Sequence, residues 1–226
     1  MAKKKDTPSR EALIEEMINA ASDFHHFGWL LGGTGQFSSR VDDKTVAITA
    51  SGAQKRGLEP DDFVDVDFDG KKSTKSAPAP SQATDLHLAI YKNTDATRTI
   101  YHIHHLGAAI CSDRDRRQGF THFEGLATLQ VLGVESDDNI LNIAIIEDAG
   151  EFEDRAEFLE KVVETLKAGD EPTAPCINIK HHGLYVWGDS PEQARRNVEA
   201  CAYLFDYSQR RPMNPKRSAS VSGFQP

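Results

Sequence analysis

The chain has 226 residues, 38% of them hydrophobic and 27% charged, a balance that excludes collagen-like, wholly disordered and membrane-spanning classes. Its 26 basic against 35 acidic residues leave a net charge of −9, which argues against a general nucleic-acid binder but leaves room for local capture of a small phosphate. No apolar run approaches the roughly 18 residues of a membrane span, and Met1 to Lys5 leads into polar sequence with no apolar leader core behind it. The expectation is a cytoplasmic protein with neither membrane nor nucleic acid as partner.

Residues 1–8 and 210–226 are polar, basic or Pro/Ser-rich with little to bury, and read as flexible tails around one domain at 9–209. Cys111, Cys176 and Cys201 are odd in number and widely spaced, which suits reduced core thiols.

In chain order, the first helix is predicted to start with Thr7 as N-cap and Pro8 at its first position. It would carry Leu13, Met17, Ala20, Ala21 and Phe24 on one face and stop near Gly28. A glycine-rich loop, Gly32 to Ser38, precedes strand-like runs at 45–49 and 63–68, with the turn Ala50-Ser-Gly-Ala53 between them. After a Lys/Ser/Pro loop at 69–80 come a short helix at 81–92, a strand at 97–105 and a helix at 106–114. Strands are predicted at 128–134 and 141–146, then an amphipathic helix at 154–168 with Gly169 as its stop. Strands at 175–180 and 183–188 precede a last helix, which opens on Ser190-Pro-Glu-Gln193 as a capping box. Strands joined by tight turns and interrupted by helices predict a mixed sheet covered by helices.

Seven of the nine histidines fall in three tight groups: His25-His26, His102-Ile-His-His105 and His181-His182. On a strand through Ile100, His102 and His104, the period of two turns both imidazoles to one face, which suits cis coordination of one metal ion. A third ligand from His181 or His182 would complete a three-histidine site with an open position, the form of a catalytic zinc centre. The alternative is a set of surface or hydrogen-bonded histidines.

Gly33, Thr34 and Gly35 offer backbone N–H groups to an anion, and Ser38 adds a hydroxyl. Ser51-Gly52 with Lys55 and Arg56 forms a second candidate anion site. Either could instead be a plain connector. Glu124, in Phe120-Thr-His-Phe-Glu124, lies between apolar segments about 20 residues after the paired histidines and is the candidate acid or base.

Five segments taken in order, residues 28–38, 50–55, 101–104, 121–124 and 182–188, resemble the class II aldolase family, most closely its methylthioribulose-1-phosphate dehydratase branch. The resemblance spans roughly residues 10–210. It implies an α/β fold, a three-layer α/β/α sandwich around a central, mainly antiparallel mixed sheet, assembled as a homotetramer. It also implies one Zn2+ per subunit on His102, His104 and His182, with His105 and His181 as neighbours. A ketose phosphate substrate would be held by Gly33, Thr34, Gly35, Ser38, Ser51, Gly52 and Lys55, with Glu124 as the acid–base group. The implied reaction is loss of water without carbon–carbon cleavage. Aldol cleavage or epimerisation of another ketose phosphate, and a non-catalytic adducin-like role, are the alternatives.

Two positions depart from that pattern. Ala83 stands where the family carries a glutamate or cysteine, unless Asp85 takes the place. Gln36 stands where asparagine is usual.

Overall fold

The structure is a computed structural model that describes residues 8–134, 139–168 and 174–210. The two expected tails lie outside these residues except at their inner ends, as do Thr7 and Gly169. Five helices occur among the described residues: α1 (Arg10–His26), α2 (Thr84–Asn93), α3 (Leu106–Arg114), α4 (Arg155–Lys167) and α5 (Pro191–Arg210). The strands are β1 (Gln36–Arg40), β2 (Val46–Thr49), β3 (Phe63–Val66), β4 (Thr99–Ile103), β5 (Phe120–Glu124), β6 (Ile140–Ile146), β7 (Cys176–Ile179) and β8 (Gly183–Gly188).

They form one sheet in the order β3-β2-β1-β4-β8-β7-β6-β5. Every neighbouring pair is antiparallel except β6 with β7, so the expected mainly antiparallel mixed sheet is present. Alternation along each strand feeds two cores. Tyr101, Ile103, Leu184 and Val186 pack with α1, α3 and α5 on one side. Ile100, Tyr185 and Trp187 pack with α2 and α4 on the other. The three cysteines are buried thiols.

Several boundaries differ from the reading of the sequence. The first helix begins at Arg10, because Ser9 caps it: the Ser9 hydroxyl accepts from the Ala12 amide at 3.2 Å. The segment at 128–134 is not a strand. Leu129 and Leu132 are buried three residues apart, which suits the 3-10 turn Ala127–Leu132 that packs against α5, closed by Gly133 at φ 82°. Of the final capping box, Ser190 accepts from the Gln193 amide at 3.2 Å, whereas the Gln193 side chain donates onward to Asn197.

Two strands were not predicted. β1 begins inside the glycine-rich segment and includes Ser38. β5 includes Glu124 and alternates buried Thr121 and Phe123 with exposed His122 and Glu124, a period-two signal that was present in the sequence.

Candidate metal centre

β4 lies near the middle of the sheet, and its alternation turns His102 to the side of α2, where it is fully buried. His102 Nδ1 lies 2.9 Å from the Leu184 carbonyl oxygen. A carbonyl only accepts, so Nδ1 carries the proton and Nε2 is left with a free lone pair. His104 stands just past the end of β4, held by its amide donating to the Trp29 carbonyl at 2.9 Å. Its Nε2 is 3.2 Å from that of His102.

The third histidine comes from the turn between β7 and β8. His181 adopts φ 56°, is exposed and pairs with Asp113 at 3.2 Å, while the next residue, His182, faces the other two. Gly183 makes this possible: a Cβ there would lie 2.2 Å from the Ile103 carbonyl oxygen, so only glycine lets β8 start this close to the end of β4. His182 Nδ1 donates to the Asp148 carboxylate at 2.8 Å.

One ring nitrogen from each of His102, His104 and His182 lies within 4.8 Å of the other two. Bonds of about 2.0–2.1 Å to a tetrahedral ion place neighbouring nitrogens about 3.3 Å apart, close to the 3.2 Å seen between His102 and His104. The donor set therefore fits a divalent metal. Burial, reinforced by the neighbouring imidazoles, holds the His102 pKa well below the usual histidine range. Burial and then His182 lower that of His104 to about 4. Both rings are thus neutral, as ligation requires. The Tyr185 ring stacks on His102, with centroids 4.0 Å apart, and braces its plane. A cleft of about 410 Å³ opens onto His104 and His182, walled by Glu147, Asp148, Glu151, Lys180 and His181.

His105 has a different task. Its Nδ1 accepts from the Ala108 amide and caps α3.

The predicted anion ligands separate into two groups. Gly33, Thr34, Ser51 and Gly52 stay accessible, and a Cβ on Gly33 would lie 3.6 Å from Gln54 Oε1, so the two loops adjoin. Gly35 has a structural reason for being glycine. At φ 84°, a Cβ would meet Leu30 at 2.4 Å and the His102 carbonyl oxygen at 2.8 Å.

Ser38 and Lys55, expected beside the phosphate, are both buried instead of lining the loop surface. Ser38 is buried on β1, its hydroxyl 2.7 Å from His87 Nδ1 and 2.9 Å from the Tyr91 hydroxyl. Lys55 is buried, with Nζ donating to the Ala53 carbonyl at 2.6 Å, and burial lowers its pKa despite nearby Asp62.

Sequence reasoning passed over His87, one helical turn after Ala83. Its Nε2 and the Oε1 of Gln36 are buried with no hydrogen-bond partner among the described residues. Gln36 sits beside His102 across the β1–β4 pairing, so both atoms belong to the polar ground behind the cluster.

The comparisons with known proteins agree with this geometry. Residues 15–208 match the Class II Aldolase and Adducin N-terminal domain family. The chain belongs to that family. It is 34% identical to a methylthioribulose-1-phosphate dehydratase of Exiguobacterium sp., over 80% of this chain and 85% of the relative. It is 29% identical to one of Persephonella marina, over 85% and 89%. The fold of the YgbL protein of Klebsiella pneumoniae superposes with a TM-score of 0.72 at 19% identity, covering 88% of this chain and 89% of that one.

Set against the expectations for this class II aldolase-family chain, Glu124 is the residue the structure does not bring to the cluster. It is exposed on the edge strand β5, four strand spacings from β4, or about 19 Å. Ala83 is the N-cap residue of α2 and contributes no side-chain bond there. Asp85 is engaged by Arg155 of α4 through two bonds of 2.6 and 2.7 Å.

Among the described residues, no helix is long and apolar enough to cross a membrane.

Proposed function

We propose that this chain is a cytoplasmic lyase of methionine salvage. It would remove water from 5-methylthioribulose 1-phosphate to give 2,3-diketo-5-methylthiopentyl 1-phosphate, using one Zn2+ per subunit. The observation that carries this reading is the convergence of His102, His104 and His182 in a chain 34% identical to a dehydratase of that name. A bound zinc ion supplies Lewis acidity at the substrate's ketone, which makes the neighbouring C–H easier to break.

The protein's own groups do the rest. Backbone amides of Gly33, Thr34 and Gly35, with Ser51 and Gly52 from the adjoining turn, hold the phosphate. A base takes the proton of the broken C–H, the hydroxyl on the next carbon leaves with a proton from Glu124, and the resulting enol takes up a proton on that carbon as it becomes the second ketone, so the net change is loss of one water. Because Glu124 lies at the far edge of its own sheet, it serves the histidine cluster of another copy, and the working form is a homo-oligomer, a tetramer.

The test is turnover of methylthioribulose 1-phosphate by zinc-loaded, metal-analysed protein, followed as diketone. Diketone formation with one zinc per chain is expected. Bound zinc without product, in both the wild type and Ala83→Glu, would overturn the dehydratase reading.

A further inference from the structure

Asp148 does more at the cluster than wall its cleft. β6 and β7 are the one parallel pair in the sheet, with Ile146 opposite Ile179, so both strands leave on the same side. The Lys180 amide then donates to the Ile146 carbonyl at 2.8 Å, and the His182 amide to the Ile179 carbonyl at 3.0 Å. This double clamp brings the residue two beyond β6, Asp148, opposite the histidine three beyond β7. The carboxylate is itself oriented. Asp148 Oδ1 accepts from the Gly150 amide at 3.1 Å, and Oδ2 accepts from His182 Nδ1 at 2.8 Å.

A carboxylate can only accept here, so it fixes the proton on Nδ1 and leaves Nε2 of His182 as the ligand atom. The Leu184 carbonyl does the same for His102. The two bonds differ in kind. A backbone carbonyl comes with the sheet, whereas the carboxylate adds negative charge, which raises the basicity of the imidazole it touches.

We infer that Asp148 is the positioning residue for the third metal ligand, holding the tautomer and ring plane of His182 so that the cluster is ready before metal arrives. The inference rests on the assignment of His102, His104 and His182 as ligands, and its test separates the two.

The probe is Zn2+ titrated into the full chain against a chromophoric chelator. Asp148→Ser keeps an oxygen able to cap the Gly150 amide but is too short to reach His182. Zinc affinity is expected to fall 10- to 100-fold, with the melting temperature of the metal-free protein unmoved. Asp148→Ala should show the same loss together with a lower melting temperature. In a His182→Ala background, Asp148→Ser should add nothing, the coupling that a turn-capping role would not produce.

Zinc bound by Asp148→Ser within threefold of the wild type overturns the role of Asp148 alone. A wild-type chain that binds no zinc overturns the ligand assignment and this inference with it.

Discussion

His102, His104 and His182 meet inside one chain because three backbone constraints converge: the alternation of β4, the end of that strand at Ile103, and a turn pressed against it through Gly183. Glu124 is held by an equally regular strand, yet it stands on the outer edge of the sheet, exposed and about four strand spacings away. On the proposed function, one half of the chemistry is completed by folding and the other waits for assembly. The difference teaches that the two halves should fail independently and in different ways.

The largest expected effect is on the half made by folding. His102→Ala removes the buried member of the histidine cluster, and both bound zinc and turnover should collapse, the latter by roughly 10⁴-fold if the ion supplies several kcal/mol of barrier lowering. Metal analysis alongside a diketone assay checks it. Glu124→Gln should instead keep its zinc and lose about 10²- to 10³-fold in turnover, the usual worth of a positioned acid.

Mixing the two inactive proteins under conditions that exchange subunits sharpens the contrast. Some assemblies would then join an intact histidine cluster to an intact Glu124 from its neighbour, and activity should return. If the mixture stays inactive although subunits exchange, Glu124 does not act across copies.

The legibility of the sequence follows the same divide. Two members of the histidine cluster were readable because His-x-His on a strand is a local pattern; His181 and His182 stood open as the third, and the family resemblance pointed to His182. Their partners were not. Asp148 lies 34 residues from His182 in sequence and meets it only through the β6–β7 pairing, a long-range contact that no window contains.

The burial of Ser38 and Lys55 was hidden from the sequence for a related reason. A serine after a glycine run and a lysine in a turn look like surface anion ligands, but β1 extends into the glycine segment and turns Ser38 toward His87, while Lys55 folds under its own turn. The fold class and most helices were legible, since apolar periodicity survives small errors at the ends. The short strand β5 was not predicted although its burial alternates along the chain.

Gly183 offers a milder way to disturb the folded half. Adding a methyl group forces a Cβ to within 2.2 Å of the Ile103 carbonyl oxygen and 3.2 Å of His102 Cε1, so β8 must shift away from β4. Gly183→Ala should cost about 2–3 kcal/mol of stability, in the range of local backbone strain and overpacking. It should also weaken zinc binding, because the displaced turn carries His182. Denaturant unfolding of the metal-free protein measures the first effect, and chelator competition the second. Normal stability and normal zinc affinity together would show that the close approach is not needed.

The smallest effect concerns the buried ground behind the cluster. His87 is enclosed by Ser38, Tyr91 and the edge of Tyr185, and burial drives its pKa to about 3, with the nearby charge of Asp85 opposing only weakly. In the unfolded chain the same ring titrates near 6.5. Above that value it is neutral in both states and costs nothing. As pH falls from about 6.5 towards 3, the unfolded chain takes up a proton that the folded one refuses, so stability drops by up to about 1.4 kcal/mol per pH unit, and the loss levels off once the folded ring also protonates. Metal-free protein should therefore unfold at lower denaturant at pH 4.5 than at pH 7. His87→Gln, whatever its stability at pH 7, should show a shallower decline, since carboxylate titration is common to both chains and cancels in the difference. An equally steep decline in the variant would mean that His87 gains a proton inside the fold. The buried region behind His102 would then admit charge, and the contrast between a closed metal half and an open assembly half would weaken there.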